Sequence, residues 1–299
     1  MLQAILKGKI RGIFDKIQDG IPWRKAYSTY EDFLTASVVG RMTYLPGDIL
    51  WRLVKGSSLH SHLYKYVGGL ESIEFWPNWP VPDRMKNIGT HRQPDVFLKF
   101  EEIDMIVEAK RDDSLSQNHI QWSEQILSYL FKRNIEGEEN RPIVFWVLGG
   151  MGTQLTEEFV NTELTKVMEL VNDEYPDENI KLAVSSWGKM LSCLLDLQHF
   201  LTEELRGKFP LISPYDRRHI LKIIDDIIEA LRLHGIKEWR YLSEMAAYWG
   251  GQKLSDQSLN LFNSPSHSQP QKDEGQLNWG VLQLATGHFN DGLKWYGRN

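Results

Sequence analysis

The order of apolar and polar positions along the chain predicts strands separated by helices over its first two-thirds. Short runs rich in β-forming residues and bounded by turn residues predict strands at 71–76, 95–100, 104–110, 142–148 and 180–185. The run at 142–148, PIVFWVL, is almost entirely apolar, which is typical of a strand buried on both faces.

Helix start signals and apolar residues spaced three and four apart predict helices before and between these strands. They fall at 28–45, 48–54, 118–133 and 155–172. The resulting order mixes neighbouring strands that can pair as hairpins with strands joined through a helix. This order predicts an α/β fold in which a mixed β-sheet is flanked by helices.

The character of the sequence changes beyond residue 210. Isoleucine and leucine recur at helical spacing over 216–234, which predicts a strongly amphipathic helix. Residues 263–275 have the composition of a linker, and 277–299 are rich in glycine and aromatic residues. We therefore expect one domain over 1–210 and a mainly helical region over 211–299, with a linker and an aromatic tail. The amphipathic helix and the tail are candidates for binding a protein partner or a second copy of the chain.

Composition bounds the possible functions only loosely. The chain is 41% apolar and 25% charged, which is ordinary for a globular protein. Its single cysteine, Cys193, excludes an internal disulfide and a cysteine-based zinc site. No apolar run approaches the roughly 18 to 20 residues of a membrane span, so we expect a cytoplasmic protein without a membrane partner. Net charge is −6, but the first 110 residues hold 15 basic and 13 acidic residues. The charge therefore does not exclude a local basic face that binds nucleic acid.

Two predicted strands carry the residues best suited to catalysis. Glu108 and Lys110 are two apart, so on a strand their side chains leave the same face while Ala109 points the other way. Asp95 begins the preceding strand, and close pairing of the two strands can bring it beside Glu108. Two converging carboxylates suit a hard cation such as Mg²⁺ or Mn²⁺. A neighbouring lysine can position a water molecule or stabilise developing negative charge.

These residues carry a resemblance to a known family. Pro94-Asp95, twelve intervening residues and then Glu108-Ala109-Lys110 resemble the motif of the PD-(D/E)xK nuclease superfamily. The predicted order of helix, three strands, helix and strand is also similar to its restriction-endonuclease-like core. The resemblance implies Mg²⁺-dependent hydrolysis of DNA. Asp95, Glu108 and Lys110 would be catalytic, and Asp95, Glu108 and the Ala109 carbonyl would bind the metal.

Further positions agree with this family. Glu31, on the first predicted helix, matches a carboxylate that many members add to the metal site. Gln125 and Tyr129 match the Q-x-x-x-Y element of the RecB-like branch, which is associated with binding DNA beside the site. Each has a plainer interpretation: Ser28 and Glu31 have the spacing of a helix capping box, and the two residues on the later helix can form a solvated polar stripe.

Three other residues are candidates for contacts with the substrate. Gln121 lies one helical turn before Gln125 and extends the same polar stripe. His91 and Arg92 precede the proline of the motif and are placed to approach a phosphate, although a surface loop explains them equally well. A second Pro-Asp pair, Pro82-Asp83, lies too far from Glu108 in sequence to belong to the motif.

Two rival functions remain open at this level. The first is a nuclease-fold subunit that binds DNA or protein partners without cleaving. The second is an enzyme on a Rossmann-like sheet that binds a nucleotide through the loop Gly149–Gly152, although this loop lacks the G-K-[ST] ending of a P-loop. A nuclease without a helicase motif would suit a subunit of an antiviral defence, transposition or repair system.

Overall fold

The computed structural model describes residues 2–9, 16–60, 62–111, 117–151, 156–206 and 214–238. The predicted linker and aromatic tail lie outside the described residues, as do 207–213, so the domain boundary expected at 210 stays a prediction. The helices are α1 (Leu2–Leu6), α2 (Trp23–Ser28), α3 (Glu31–Met42), α4 (Gly47–Ser57), α5 (His119–Glu136), α6 (Glu157–Val171), α7 (Trp187–Arg206) and α8 (Pro214–Leu233).

The strands of the described residues form two sheets. They are β1 (Ser58–His60), β2 (Leu70–Phe75), β3 (Trp79–Pro80), β4 (His91–Arg92), β5 (Val96–Phe100), β6 (Asp104–Ala109), β7 (Ile143–Leu148) and β8 (Ile180–Ser185). Six of them make one sheet in the order β1-β8-β7-β6-β5-β2, and β3 and β4 make a two-stranded sheet.

The large sheet is mixed, as the sequence predicts. Among the strands of this sheet, β2, β5 and β6 are consecutive along the chain and pair antiparallel. Strands β6, β7 and β8 pair parallel, and α5 and α6 make the crossover connections between them. Because parallel strands end at the same edge of a sheet, the carboxyl ends of these three strands lie side by side.

Helices cover both faces of this sheet. Helices α3, α4, α7 and α8 pack with one another and bury a large apolar cluster against one face. Helices α5 and α6 bury a second cluster against the other. Strands β6 and β7 are buried along their whole length, which explains why the sequence of β7 is so uniformly apolar. The prediction of a mixed sheet flanked by helices, with a helical part towards the C-terminus, is confirmed.

The helix predicted over 28–45 is α3, which begins at Glu31, and a separate short helix, α2, precedes it. Helix α2 ends at Ser28, whose hydroxyl donates to the Lys25 carbonyl at 3.2 Å. Helix α3 then begins at Glu31, with Tyr30 at its N-cap position and no side-chain cap. The capping box of Ser28 and Glu31 is therefore not formed, because Ser28 is already helical and its hydroxyl is turned to the preceding turn.

The amphipathic helix predicted over 216–234 is α8. Its apolar face is buried against α3 and α7. The isoleucines and leucine of the predicted stripe that are almost fully buried are Ile220, Ile224, Ile227, Ile228 and Leu231. This face is thus already covered within the chain. Within the described ranges, no helix is both long enough and apolar enough to cross a bilayer.

Candidate active site

The two strands of the predicted motif pair as the sequence requires. The register of β5 and β6 places Val96 opposite Val107, so Asp95 lies opposite Glu108. Directly opposed residues of antiparallel strands project from the same face. Both carboxylates are withdrawn from solvent, since Asp95 is 9% exposed and Glu108 is 3% exposed.

Glu108 is held by three side chains. The amide of Gln121 donates to Oε1 at 2.7 Å, and the amide of Gln125 donates to Oε2 at 2.7 Å. Lys110 Nζ also lies 2.8 Å from Oε1. A carboxylate can be buried only when its lone pairs are satisfied, and two glutamines one turn apart on α5 provide that here. Glu108 is consequently fixed in orientation.

Lys110 lies at the centre of the cluster. Its ammonium nitrogen is 2.8 Å from Glu108 Oε1, 3.3 Å from Glu31 Oε1 and 3.2 Å from the Ala109 carbonyl oxygen. Burial alone would lower the pKa of Lys110, but the charges of Glu108, Asp95 and Glu31 outweigh burial and raise it above its ordinary value. Lys110 is therefore a permanent cation near neutral pH.

The surroundings of Asp95 change the pKa of its side chain. Its Oδ2 accepts from the backbone N–H of Ala109 at 2.8 Å, and its Oδ1 accepts from Trp76 Nε1 at 3.2 Å. Burial, followed by the charge of Glu108, raises the pKa of Asp95 well above its ordinary value. The negative charges of Asp95 and Glu108 repel each other. One ammonium group does not balance the charges of the carboxylates in the cluster.

Glu31 joins helix α3 to the end of strand β6. Its Oε1 accepts from Lys110, and its Oε2 accepts from the backbone N–H of Arg111 at 2.8 Å. The Arg111 guanidinium in turn donates to the carbonyl oxygens of Ser28 and His234. These contacts anchor the residue after Lys110 to α2 and to the residue that follows α8, which fixes where β6 ends.

Two glycines allow the next strand to approach Lys110 closely. Gly149 and Gly150 both have φ near +74°, the left-handed region that favours glycine. A Cβ on Gly149 would lie 2.2 Å from the Lys110 carbonyl oxygen, and one on Gly150 would lie 2.8 Å from Lys110 Cβ. The glycines that the sequence associates with a nucleotide loop therefore have a packing role beside the cluster.

The predicted substrate residues on α5 differ in their contacts and in their burial. Gln121 and Gln125 both reach Glu108, and Gln125 is only 3% exposed, so a solvated stripe is wrong for Gln125. Tyr129 does not reach the cluster. Its ring is fully buried against Trp79, and its hydroxyl donates to Asp104 at 2.5 Å. Assigning it to substrate binding is therefore corrected, because a side chain with no exposed surface cannot touch a nucleic-acid strand.

His91 and Arg92 form strand β4, which pairs with β3 beside helix α5. Arg92 Nε donates to Glu124 on α5 at 2.8 Å, and its remaining hydrogen bonds go to backbone carbonyls of its own segment. His91 is exposed, with Nδ1 3.0 Å from Thr90 Oγ1. Their contacts lead to α5 and to local backbone rather than to the carboxylates.

The structure adds two residues that sequence reasoning missed. Trp76 binds Asp95, and Trp187 Nε1 donates to the Lys110 carbonyl at 2.8 Å. Neither is part of a recognisable spacing, since Trp187 lies 77 residues from its partner. An excess of tryptophan in the composition is the only available signal, and by itself it indicates no more than a core.

The donor set suits a hard cation by chemistry and charge. Glu31, Glu108 and the Ala109 carbonyl contact the Lys110 ammonium, Asp95 lies beside Glu108, and oxygen ligands of this kind are those Mg²⁺ prefers. As arranged among the described residues, no group of three or more His, Cys, Asp or Glu side chains is placed to hold a metal. Here Lys110 Nζ takes the position between Glu31 and Glu108, so it is the ammonium that these oxygens bind.

Comparison with known proteins gives a relative but no family. No family model matches the chain, and no solved structure matches it. The chain is similar to an uncharacterised protein of Pasteurella multocida (strain Pm70), with 28% identity over 245 residues, which is 79% of this chain and 81% of that protein.

Proposed function

We propose that this chain is a divalent-metal-dependent nuclease that hydrolyses DNA phosphodiester bonds. The observation that carries the proposal is the clustering of Glu31, Asp95, Glu108 and Lys110, in which Asp95 and Glu108 are buried and Glu31 and Lys110 are partly exposed. These residues come from helix α3, the start of β5 and the end of β6, yet Lys110 Nζ lies within 3.3 Å of two of the carboxylates, and the charge of the third raises its pKa.

The element order around this point supports a restriction-endonuclease-like core. When α4, β1 and the two-stranded sheet are left aside, α3 precedes three antiparallel strands, β2, β5 and β6, and α5 then leads to β7, which is parallel to β6. This is the order of helix, three strands, helix and strand to which the sequence motif belongs. The motif residues fall at the junction of the antiparallel and parallel parts of the sheet.

Each residue has a definite role in the proposed reaction. Asp95, Glu108, the Ala109 carbonyl and Glu31 would hold Mg²⁺ or Mn²⁺, which would activate water and offset charge on the scissile phosphate. Lys110, fixed in its charged form, orients the attacking water and stabilises negative charge that develops in the transition state. Gln121 and Gln125 hold the Glu108 side chain in place through hydrogen bonds to its two oxygens.

Cleavage of linear and circular DNA, compared in Mg²⁺, Mn²⁺ and EDTA, tests the proposal. We expect cleavage with either metal, none in EDTA, and a loss of about 100-fold or more in Lys110→Ala. Lys99→Ala is the matched control, because Lys99 lies on β5, is 29% exposed and pairs only loosely with Glu138 at 3.6 Å. Thermal melting of each variant checks folding. Equal cleavage by Lys110→Ala and the unmodified chain would remove the mechanism.

A nuclease-fold subunit that binds DNA without cutting it is the second candidate. It is favoured by the closed state of the cluster, in which Glu108 is fully hydrogen-bonded and Lys110 bridges Glu108 and Glu31. The same assay separates the two functions. DNA binding by a folded protein that never cleaves in Mg²⁺ or Mn²⁺ would select this candidate.

A further inference from the structure

A second lysine lies beside the carboxylate cluster. Lys9 follows helix α1 and is partly exposed, and its ammonium nitrogen is 3.1 Å from Gln93 Oε1 and 5.2 Å from the centre of the Trp76 ring. The Gln93 amide donates to the Trp76 carbonyl at 3.3 Å. The three residues form one connected unit, although Lys9 and Gln93 are 84 positions apart.

This unit is joined directly to Asp95. Trp76 donates to the Asp95 side chain at 3.2 Å and, through its backbone N–H, to the Asp95 carbonyl at 2.9 Å. Trp76 also adopts φ +48°, a strained conformation for a bulky residue that persists only where surrounding contacts hold it. Its ring is therefore a fixed platform, and the lysine above that ring has a fixed place relative to the cluster.

Lys9 lies near Asp32, the neighbour of Glu31, without forming an ion pair with a described residue. Burial raises the pKa of Asp32, the neighbour of Glu31, and the positive charge of Lys9 is the largest effect opposing that rise. Among the described residues, no carboxylate lies within ion-pair distance of Lys9. Lys7, two residues earlier, instead approaches Glu74 at 3.9 Å. Lys110 is tied to two carboxylates, so Lys9 is the cation here that can accept a new anion.

We propose that Lys9, seated on Trp76 beside Asp95, binds a backbone phosphate of the DNA strand that enters the site. This inference rests on the proposed nuclease function and names a contact of its substrate. A phosphate group bound there replaces the contact of the ammonium with the neutral Gln93 amide by an ion pair between opposite charges. The contact positions the strand and carries no sequence information.

Binding of a fluorescein-labelled DNA duplex, followed by anisotropy in NaCl and EDTA, tests the contact without cleavage. Each phosphate contact contributes about 0.9 to the slope of log affinity against log salt. Lys9→Ala should lower the slope by about that amount and weaken binding about eightfold at 0.1 M salt. Lys9→Arg should retain the slope, and Lys7→Ala, from the same segment, should bind as the unmodified chain does. In cleavage assays Lys9→Ala should raise KM and leave kcat nearly unchanged.

The outcomes separate this inference from the proposed function. If the unmodified chain cleaves DNA and Lys9→Ala binds with the same affinity and slope, the contact is refuted and the nuclease stands. If the chain binds DNA without cleaving it, the nuclease fails, and the salt slopes still decide whether Lys9 touches phosphate. If it neither binds nor cleaves DNA, both proposals fall.

Discussion

Replacement of Gly150 by alanine probes how the sheet holds Lys110 in place. The added Cβ would lie 2.8 Å from Lys110 Cβ and 2.7 Å from Gln117 Cγ. Carbon atoms need about 3.5 Å, so the lysine must move by about 0.7 Å. Gln117 is displaced as well, and its amide donates to the Glu108 carbonyl at 3.1 Å. Both neighbours of the new methyl group therefore belong to the cluster.

The expected destabilisation has two parts. A left-handed conformation costs an alanine about 1 to 2 kcal/mol, and overpacking adds about 1 to 3 kcal/mol. Gly137→Ala is a matched control, because Gly137 caps helix α5 at φ +65° and a Cβ there meets nothing within 4 Å. Gly137→Ala should lose only the stability that the left-handed conformation costs an alanine. Urea unfolding followed by tryptophan fluorescence should separate the two variants by about 1 to 3 kcal/mol.

The cleavage rate of Gly150→Ala should fall by more than its loss of folding stability explains. Misplacing a catalytic group by a fraction of an ångström to 1 Å costs about 10- to 100-fold in rate, whereas Gly137→Ala should cleave at the rate of the unmodified chain. Equal destabilisation of the two variants together with retained cleavage would refute the packing role of Gly150. If a labelled nucleotide bound the unmodified chain and not Gly150→Ala, the loop would instead belong to a nucleotide site.

Two further predictions follow from the buried acids. Because the pKa of Asp95 is higher in the folded protein, the folded state binds more protons and stability falls as pH rises through the interval above the ordinary aspartate pKa. Asp95→Asn should flatten that fall in thermal melts in EDTA while abolishing cleavage, and an unchanged pH profile would contradict the assigned burial and repulsion. Tyr129→Phe leaves Asp104 without its hydrogen bond and should cost about 1 to 3 kcal/mol. Since Tyr129 lies outside the cluster, that variant should keep the kcat of the unmodified chain when assayed below its melting temperature.

The sequence predicts the longer strands of this fold closely and gives no signal for β1, β3 and β4. Strands β5, β6, β7 and β8 appear within one residue of their predicted positions, because continuous apolar runs of strand length have few other stable arrangements. The pattern gives no bounds for helices α2 and α7. Helix α3 begins at Glu31, three residues later than the pattern predicts.

The same limit applies to the candidate site. Glu108 and Lys110 share a face because of strand periodicity, and the place of Asp95 follows from tight pairing, so spacing alone predicts all three. The Q-x-x-x-Y resemblance assigns Tyr129 to the substrate, but the sequence pattern does not reveal that its ring is fully buried. In the fold, the helix runs back along strand β6, so Tyr129 meets the start of that strand at Asp104 and not its end.

The charge of the cluster explains why metal and substrate should depend on each other. Three carboxylates and one ammonium leave a net of two formal negative charges at the site, and a phosphodiester brought near them is repelled. A single divalent cation would bring that sum to zero, relieve the repulsion that raises the pKa of Asp95, and allow the phosphate to approach. Lys110 alone cannot do this, since its one charge is shared between Glu31 and Glu108. DNA should therefore bind more tightly with Mg²⁺ than in EDTA, whereas only cleavage should depend entirely on the metal.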